Sequence, residues 1–293
     1  MEGKGVQKRK ARQWKPYLWL LPALLLFAVF TFYPFIETIW KSLFIVDLTG
    51  NPKRFVGLEN YTYILSDEKF LTALKNTIIF VLMTVPVSKV FGFILAILAN
   101  KRRRFSSFYE TSFALPMALA SSVVAMIFQL LYVSPLGIVN GLTGLNIPWL
   151  TDARYALFSI AVIQIWLSTG YSFVFLLSAV RSVPQELVES AAIDGASSFR
   201  KVFSIYIPLT TPTIFYLVFT DIAFGMMMMS LVNVLTGGGP NDATMTLMQY
   251  IFRQISASGN YTNANPAAVV TFFLTFVVTM ATFIWEKKGV YYQ

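Results

Sequence analysis

An all-α polytopic membrane protein with six transmembrane helices is the fold class this sequence predicts, on three observations. Hydrophobic residues make up 56% of the 293 positions, and mean hydropathy is +0.62. Charged residues make up only 13%, where a soluble domain carries roughly a quarter. The apolar residues also come in continuous runs, not in the alternation of a transmembrane barrel.

Six runs are long enough for a hydrocarbon core of about 30 Å at 1.5 Å per residue. They cover residues 17–40, 72–99, 109–133, 154–180, 209–235 and 266–285. The first follows a basic tail, residues 1–16, carrying Lys4, Lys8, Arg9, Lys10, Arg12 and Lys15. That tail suits a signal peptide, but the apolar run is too long and no small-x-small cleavage site follows, so an uncleaved span is expected.

Lys and Arg set the orientation. With both termini cytoplasmic, the inner side holds the tail cations, Lys101, Arg102, Arg103, Arg104, Arg181, Arg200, Lys201, Lys287 and Lys288. The outer side holds Lys41, Lys53, Arg54, Lys69, Lys75, Arg154 and Arg253. Fifteen against seven is a clear bias, so residues 181–208 and 286–293 are expected in the cytoplasm. The net charge of +9 is then topology information and not a nucleic-acid footprint.

Two long outer loops are expected, at residues 42–71 and 236–265. The second opens on Thr-Gly-Gly-Gly-Pro, a turn signal, before a possible amphipathic helix over 244–255. Asn260-Tyr261-Thr262 matches a glycosylation pattern that is too short to weigh. No internal repeat is visible.

Residues 181–208 are the one long stretch between spans that reads as ordered helix. Ser182 is placed to cap it, Gln185 to complete a capping box, and Pro184 to occupy the first turn. Glu186 and Glu189 sit where the helix dipole favours negative charge. Leu187, Ala191 and Ala192 form a small apolar face, and Gly195 ends or bends the helix. A second segment starts at a serine cap, Ser198, and Pro208 closes the loop as the next span begins. The expected product is a helix–turn–helix elbow. Its alanines permit close approach, and Glu189 and Asp194 offer carboxylates to a basic groove.

Glu189-Ser190-Ala191, then Gly195, Ile205, Ile207 and Pro208, resemble the EAA motif of permease subunits of binding-protein-dependent ABC importers. Asp194-Gly195-Ala196 resembles its sugar-permease form. Ser190 and Ile207 depart from the family's alanine and leucine but keep approximate size. Tyr33-Pro34, the Phe-Val-Gly-Leu-Glu-Asn-Tyr of 55–61, Leu115-Pro116 and the glycine turn at 236–240 extend the resemblance along nearly the whole chain. They point to the carbohydrate branch, the maltose-type and glycerol-3-phosphate-type permeases.

The resemblance implies a six-span subunit whose coupling helix, Glu186 to Ala196, seats in a groove of an ATPase. It implies a second permease forming a heterodimer, two ABC ATPase subunits and an extracytoplasmic solute-binding protein, in a bacterial or archaeal plasma membrane. ATP and Mg would be bound by the ATPases, since this chain has no Walker A pattern. Closure of the ATPases would rock the spans between inward-open and outward-open states. No cofactor, metal or catalytic residue is expected on this chain.

Intramembrane charges are costly and often functional. Glu37 lies near the outer end of its span and is expected to reach the interface. Lys89 and Asp221 sit deeper, either paired across spans or facing a water-filled path; Asp221→Asn is expected to impair transport more than assembly. The four methionines at 226–229 cover every helix face, so some must be core, although methionine also suits an adaptable surface. Gln164, Tyr171, Phe224, Met228, Ser230 and Asn233 complete the candidates for a sugar pathway. A gradient-driven transporter would favour inverted repeats and broken helices, which the hydropathy does not show. With no His, no Cys and no paired intramembrane carboxylates, an intramembrane enzyme is disfavoured.

Overall fold

The computed structural model describes residues 17–101 and 105–289. The basic tail at 1–16, Arg102 to Arg104 and residues 290–293 lie outside that description. Among the described residues, five helices are long and apolar enough to cross a membrane: Tyr17–Ser42, Glu68–Asn100, Ala156–Arg181, Ser198–Met226 and Tyr261–Ile284. A sixth crossing exists only if the bent pair Ser106–Ala118 and Ser121–Leu131 is one broken span.

The second span begins on its own cap, the Asp67 carboxylate accepting from the Lys69 amide at 3.0 Å. It packs along the fourth span more extensively than any other pair of elements. Gly92 makes that possible, because a Cβ there would stand 2.7 Å from Cβ of Ser172. Small residues bring helix backbones together where apolar lipid supplies no hydrophobic drive. Phe173, Leu176, Leu177 and Val180 bury with Ala96 and Leu217 at one end of this core. Phe70, Ala73, Met245, Leu247 and Tyr250 bury at the other.

The third span corrects the expectation of one straight helix over 109–133. Its halves meet at 99°, with Leu119 and Ala120 extended. Pro116 opens the break, since it lacks an amide and tightens residues 115–118 into a 3-10 turn. It lodges against Gly170 of the fourth span, where a Cβ would come within 3.0 Å of the ring. The second half is only 11 residues, too short to cross alone.

The fifth span departs more. The expected run over 209–235 is a helix from Ser198 to Met226, a non-helical link at Met227–Met229, and a short helix Ser230–Leu235. Broken helices, unreadable in the hydropathy, are therefore present. Thr246 donates to the Met228 carbonyl at 2.7 Å and so satisfies a backbone group freed by the break.

Pro208 does not close a loop. It sits inside the continuous helix, just after a π turn at Val202–Tyr206 that widens the backbone ahead of the ring. The first span repeats the device, with a π turn at Ala28–Phe32 and Pro34 two residues on. The last span starts at Tyr261, earlier than the expected 266, and carries Pro266 within it.

Away from the elbow, an antiparallel hairpin pairs Phe44 with Phe55 and Ile45 with Arg54. Asn60 holds it by donating to the Ser42 and Phe44 carbonyls, both at 2.9 Å. Thr262, from the glycosylation-like triplet, accepts from the Val46 amide at 2.9 Å and returns a bond to its carbonyl at 3.0 Å. The helix expected over 244–255 runs Leu247–Ser256, capped by Thr246. Glu37 pairs with Lys41 one turn on at 2.8 Å.

Candidate functional site

Two regions gather the candidate residues. The first is the elbow, a helix over Gln185–Ile193. Its N-cap is Pro184, with no side-chain cap. Ser182 instead ends the fourth span's helix and donates back to the Ala179 carbonyl at 2.8 Å, so the expected capping box does not form. Gly195, at φ +76°, ends the elbow helix. The Ala196 amide reaches the Ala191 carbonyl at 2.9 Å and the Gly195 amide reaches Ala192 at 3.1 Å. This is a Schellman closure, which needs a left-handed residue at that position. The second helix starts at Ser198, but its cap is Ser197, which accepts from the Arg200 amide at 3.3 Å.

Glu186, Glu189, Ser190, Ala192, Asp194 and Gly195 are exposed, while Ala191, Ala196 and Pro208 are half-buried. Ile193 and Phe199 stand 87% and 75% exposed on the same elbow. Sequence reasoning passed over both, though two large apolar residues in an otherwise polar loop were the available signal. Large apolar side chains held this exposed make a surface suited to a protein partner.

The second region is a cavity of about 610 Å³ between the third, fourth and fifth spans. Six of the eight pathway candidates border it: Gln164, Tyr171, Asp221, Phe224, Met228 and Ser230. The break in the fifth span brings Met227, Met228 and Met229 to its wall, joined by Met117 and Met248, which the sequence did not single out. Met226 turns into the core instead.

Lys89 lies behind Asp221, not on the cavity wall. The two form a buried ion pair joining the second span to the fifth, and Lys89 Nζ also donates to Ser172 Oγ of the fourth at 2.7 Å. The close approach at Gly92 is what brings Ser172 within reach. Asn233 faces away and accepts from Gln249 Nε2 at 3.2 Å. Gln164 donates to Ser168 at 3.0 Å, and both residues line the cavity.

The cavity thus offers hydroxyl, amide and carboxylate groups in an adaptable apolar wall, with its buried cation already neutralised. It has the makings of a passage for a polar solute; among the described residues no cluster of three His, Cys, Asp or Glu is placed to hold a metal.

A bundle with broken spans, a largely apolar cavity carrying a few polar groups and an exposed elbow is the architecture of a transport permease. Residues 88–287 match the family described as binding-protein-dependent transport system inner membrane component, and the chain belongs to that family. The sn-glycerol-3-phosphate transport system permease of Yersinia pestis is 32% identical, with 96% of each chain covered. A probable ABC transporter permease of Pyrococcus horikoshii is 33% identical over 94% of this chain and 97% of its own. A chain of a bacterial alginate ABC transporter, solved with an alginate pentasaccharide-bound periplasmic protein, superposes with a TM-score of 0.84 over 96% of both chains at 21% identity. The protein is a membrane-embedded permease subunit of an ABC importer.

Proposed function

We propose that this permease moves a neutral, carbohydrate-class solute into the cytoplasm, driven by separate ATPase subunits that seat on the elbow Glu186 to Ala196. The observation that carries the reading is the cavity beside the broken fifth span. Gln164, Tyr171, Ser230 and Asp221 can bond sugar hydroxyls while Phe224 and the methionines follow the sugar's apolar faces. The elbow side is cytoplasmic in this reading, as the Lys and Arg bias requires, and both termini are inside. A second, different permease completes the pathway, and an external binding protein delivers the solute.

Glycerol-3-phosphate is the second reading, favoured by the solute of the Yersinia pestis relative. The ion pair speaks against it. An anion path needs cations facing the solute, and Lys89 is spent on Asp221 and Ser172.

The test is ATPase activity of the full complex in lipid nanodiscs with maltose-type and other oligosaccharides, then with glycerol-3-phosphate. Stimulation by a neutral sugar that disappears in Gly195→Asp and Glu189→Lys is expected. Stimulation by glycerol-3-phosphate alone would replace the solute class. Failure to associate with any ATPase would overturn the coupling.

A further inference from the structure

The elbow helix buries none of its own residues. A cavity of about 510 Å³ separates it from the helix ends above, bordered by Asn100, Arg181, Val188, Glu189 and Tyr206 among others. Packing therefore does not set its position; its two ends must.

On the entering side, Arg181 stands three residues before the elbow's N-cap, Pro184. Its guanidinium forks onto Glu110 of the third span, Nη2 to Oε1 at 2.6 Å and Nη1 to Oε2 at 3.1 Å. The same Nη2 donates to the Ala99 carbonyl at 3.3 Å. On the leaving side, Tyr206 ends the π turn and its hydroxyl accepts from Asn100 Nδ2 at 3.3 Å. Ala99 and Asn100 are the last residues of the second span. The two spans that flank the elbow are thus tied to one place, the terminus of a 33-residue helix. Eleven residues back along that helix, about 16 Å at 1.5 Å per residue, Lys89 holds Asp221 at the cavity.

We propose that Arg181 and Tyr206 are positioning residues that lock the elbow to the second span, so that this span carries displacement of the elbow to the Lys89–Asp221 pair. The inference rests on the elbow being the ATPase seat. A bidentate fork resists rotation as well as separation, and a helical segment with a contact at each end, here residues 89–100, is the kind of physical element that links distant sites. Neither residue belongs to the docking surface itself.

The test uses the full complex in proteoliposomes with Arg181→Gln, Tyr206→Phe and the double variant. Two quantities are read: ATPase subunit co-purified per permease, and ATP hydrolysed per solute imported. Wild-type co-purification is expected throughout, with ATP used per solute rising in each single variant and by roughly tenfold in the double, within the range of site-to-site coupling. The Glu110→Gln variant should match Arg181→Gln on both readouts, since it breaks the same fork. An unchanged ratio in the double variant overturns the inference. So does co-purification that falls in step with transport, because the contacts would then only shape the docking surface. If the wild-type complex holds no ATPase, the seat reading fails and takes this inference with it.

Discussion

Removing the carboxylate of Asp221 leaves the Lys89 ammonium stranded. The two side chains are 11% and 8% exposed, and the one other hydrogen bond the ammonium makes is to the Ser172 hydroxyl at 2.7 Å. Breaking a buried pair by deleting one partner costs about 3–5 kcal/mol, whereas replacing both with apolar groups of similar volume is close to neutral. Asp221→Asn, Asp221→Leu and Lys89→Met should each lower the unfolding midpoint by on the order of 10 °C. The double variant Asp221→Leu with Lys89→Met should recover most of that loss. The assay is thermal unfolding of the purified complex in nanodiscs, arranged as a double-mutant cycle of Asp221→Leu and Lys89→Met, with a coupling energy of about 2–3 kcal/mol expected. Additive single effects, or an unshifted midpoint for Asp221→Asn, would refute the argument. The pair also alters the outcome expected from sequence, since assembly and transport should now fall together in Asp221→Asn. The double variant separates them: restored stability with lost uptake assigns the carboxylate to the cavity, and restored uptake makes it a strut between spans.

Gly92→Ala places a methyl 2.7 Å from Cβ of Ser172; forcing the second and fourth spans apart should cost about 1–3 kcal/mol, read as a lower unfolding midpoint. Gly195→Ala meets no atom within 4 Å but must hold φ at +76°, a strain of about 1–2 kcal/mol. It should weaken solute-stimulated ATPase activity while lowering the permease midpoint by only about 2–8 °C. Hydrogen bonds from the Thr49 hydroxyl and the Asn51 amide hold the Asp47 carboxyl well below its usual value. A depressed folded value means that its stabilisation is present above the unfolded pKa near about 4 and is lost as pH falls through the folded value. Hydrogen exchange at the Thr49 and Asn51 amides, corrected for intrinsic pH dependence, should therefore lose protection on strong acidification, while the Asn60-held end of the hairpin keeps it.

The composition and the length of the apolar runs determined that this chain is a helical membrane protein, because a bilayer demands about twenty apolar residues per crossing whatever they pack against. The elbow was legible for a similar reason. Its turn depends on Gly195, and the closure it makes uses carbonyls three and five residues back. Hydropathy reads how greasy a segment is and carries no record of the backbone's path. The 99° break after Pro116 and the link at Met227–Met229 therefore looked like unbroken helix. Thr246 satisfies the freed Met228 carbonyl from 18 residues away. The contacts that make the cavity and anchor the elbow span greater distances, 132 residues from Lys89 to Asp221 and 71 from Glu110 to Arg181. Only the tertiary structure decided these, because a buried charge takes whichever partner the packing brings within reach, and here the packing of the second span on the fourth is set by the missing side chain of Gly92.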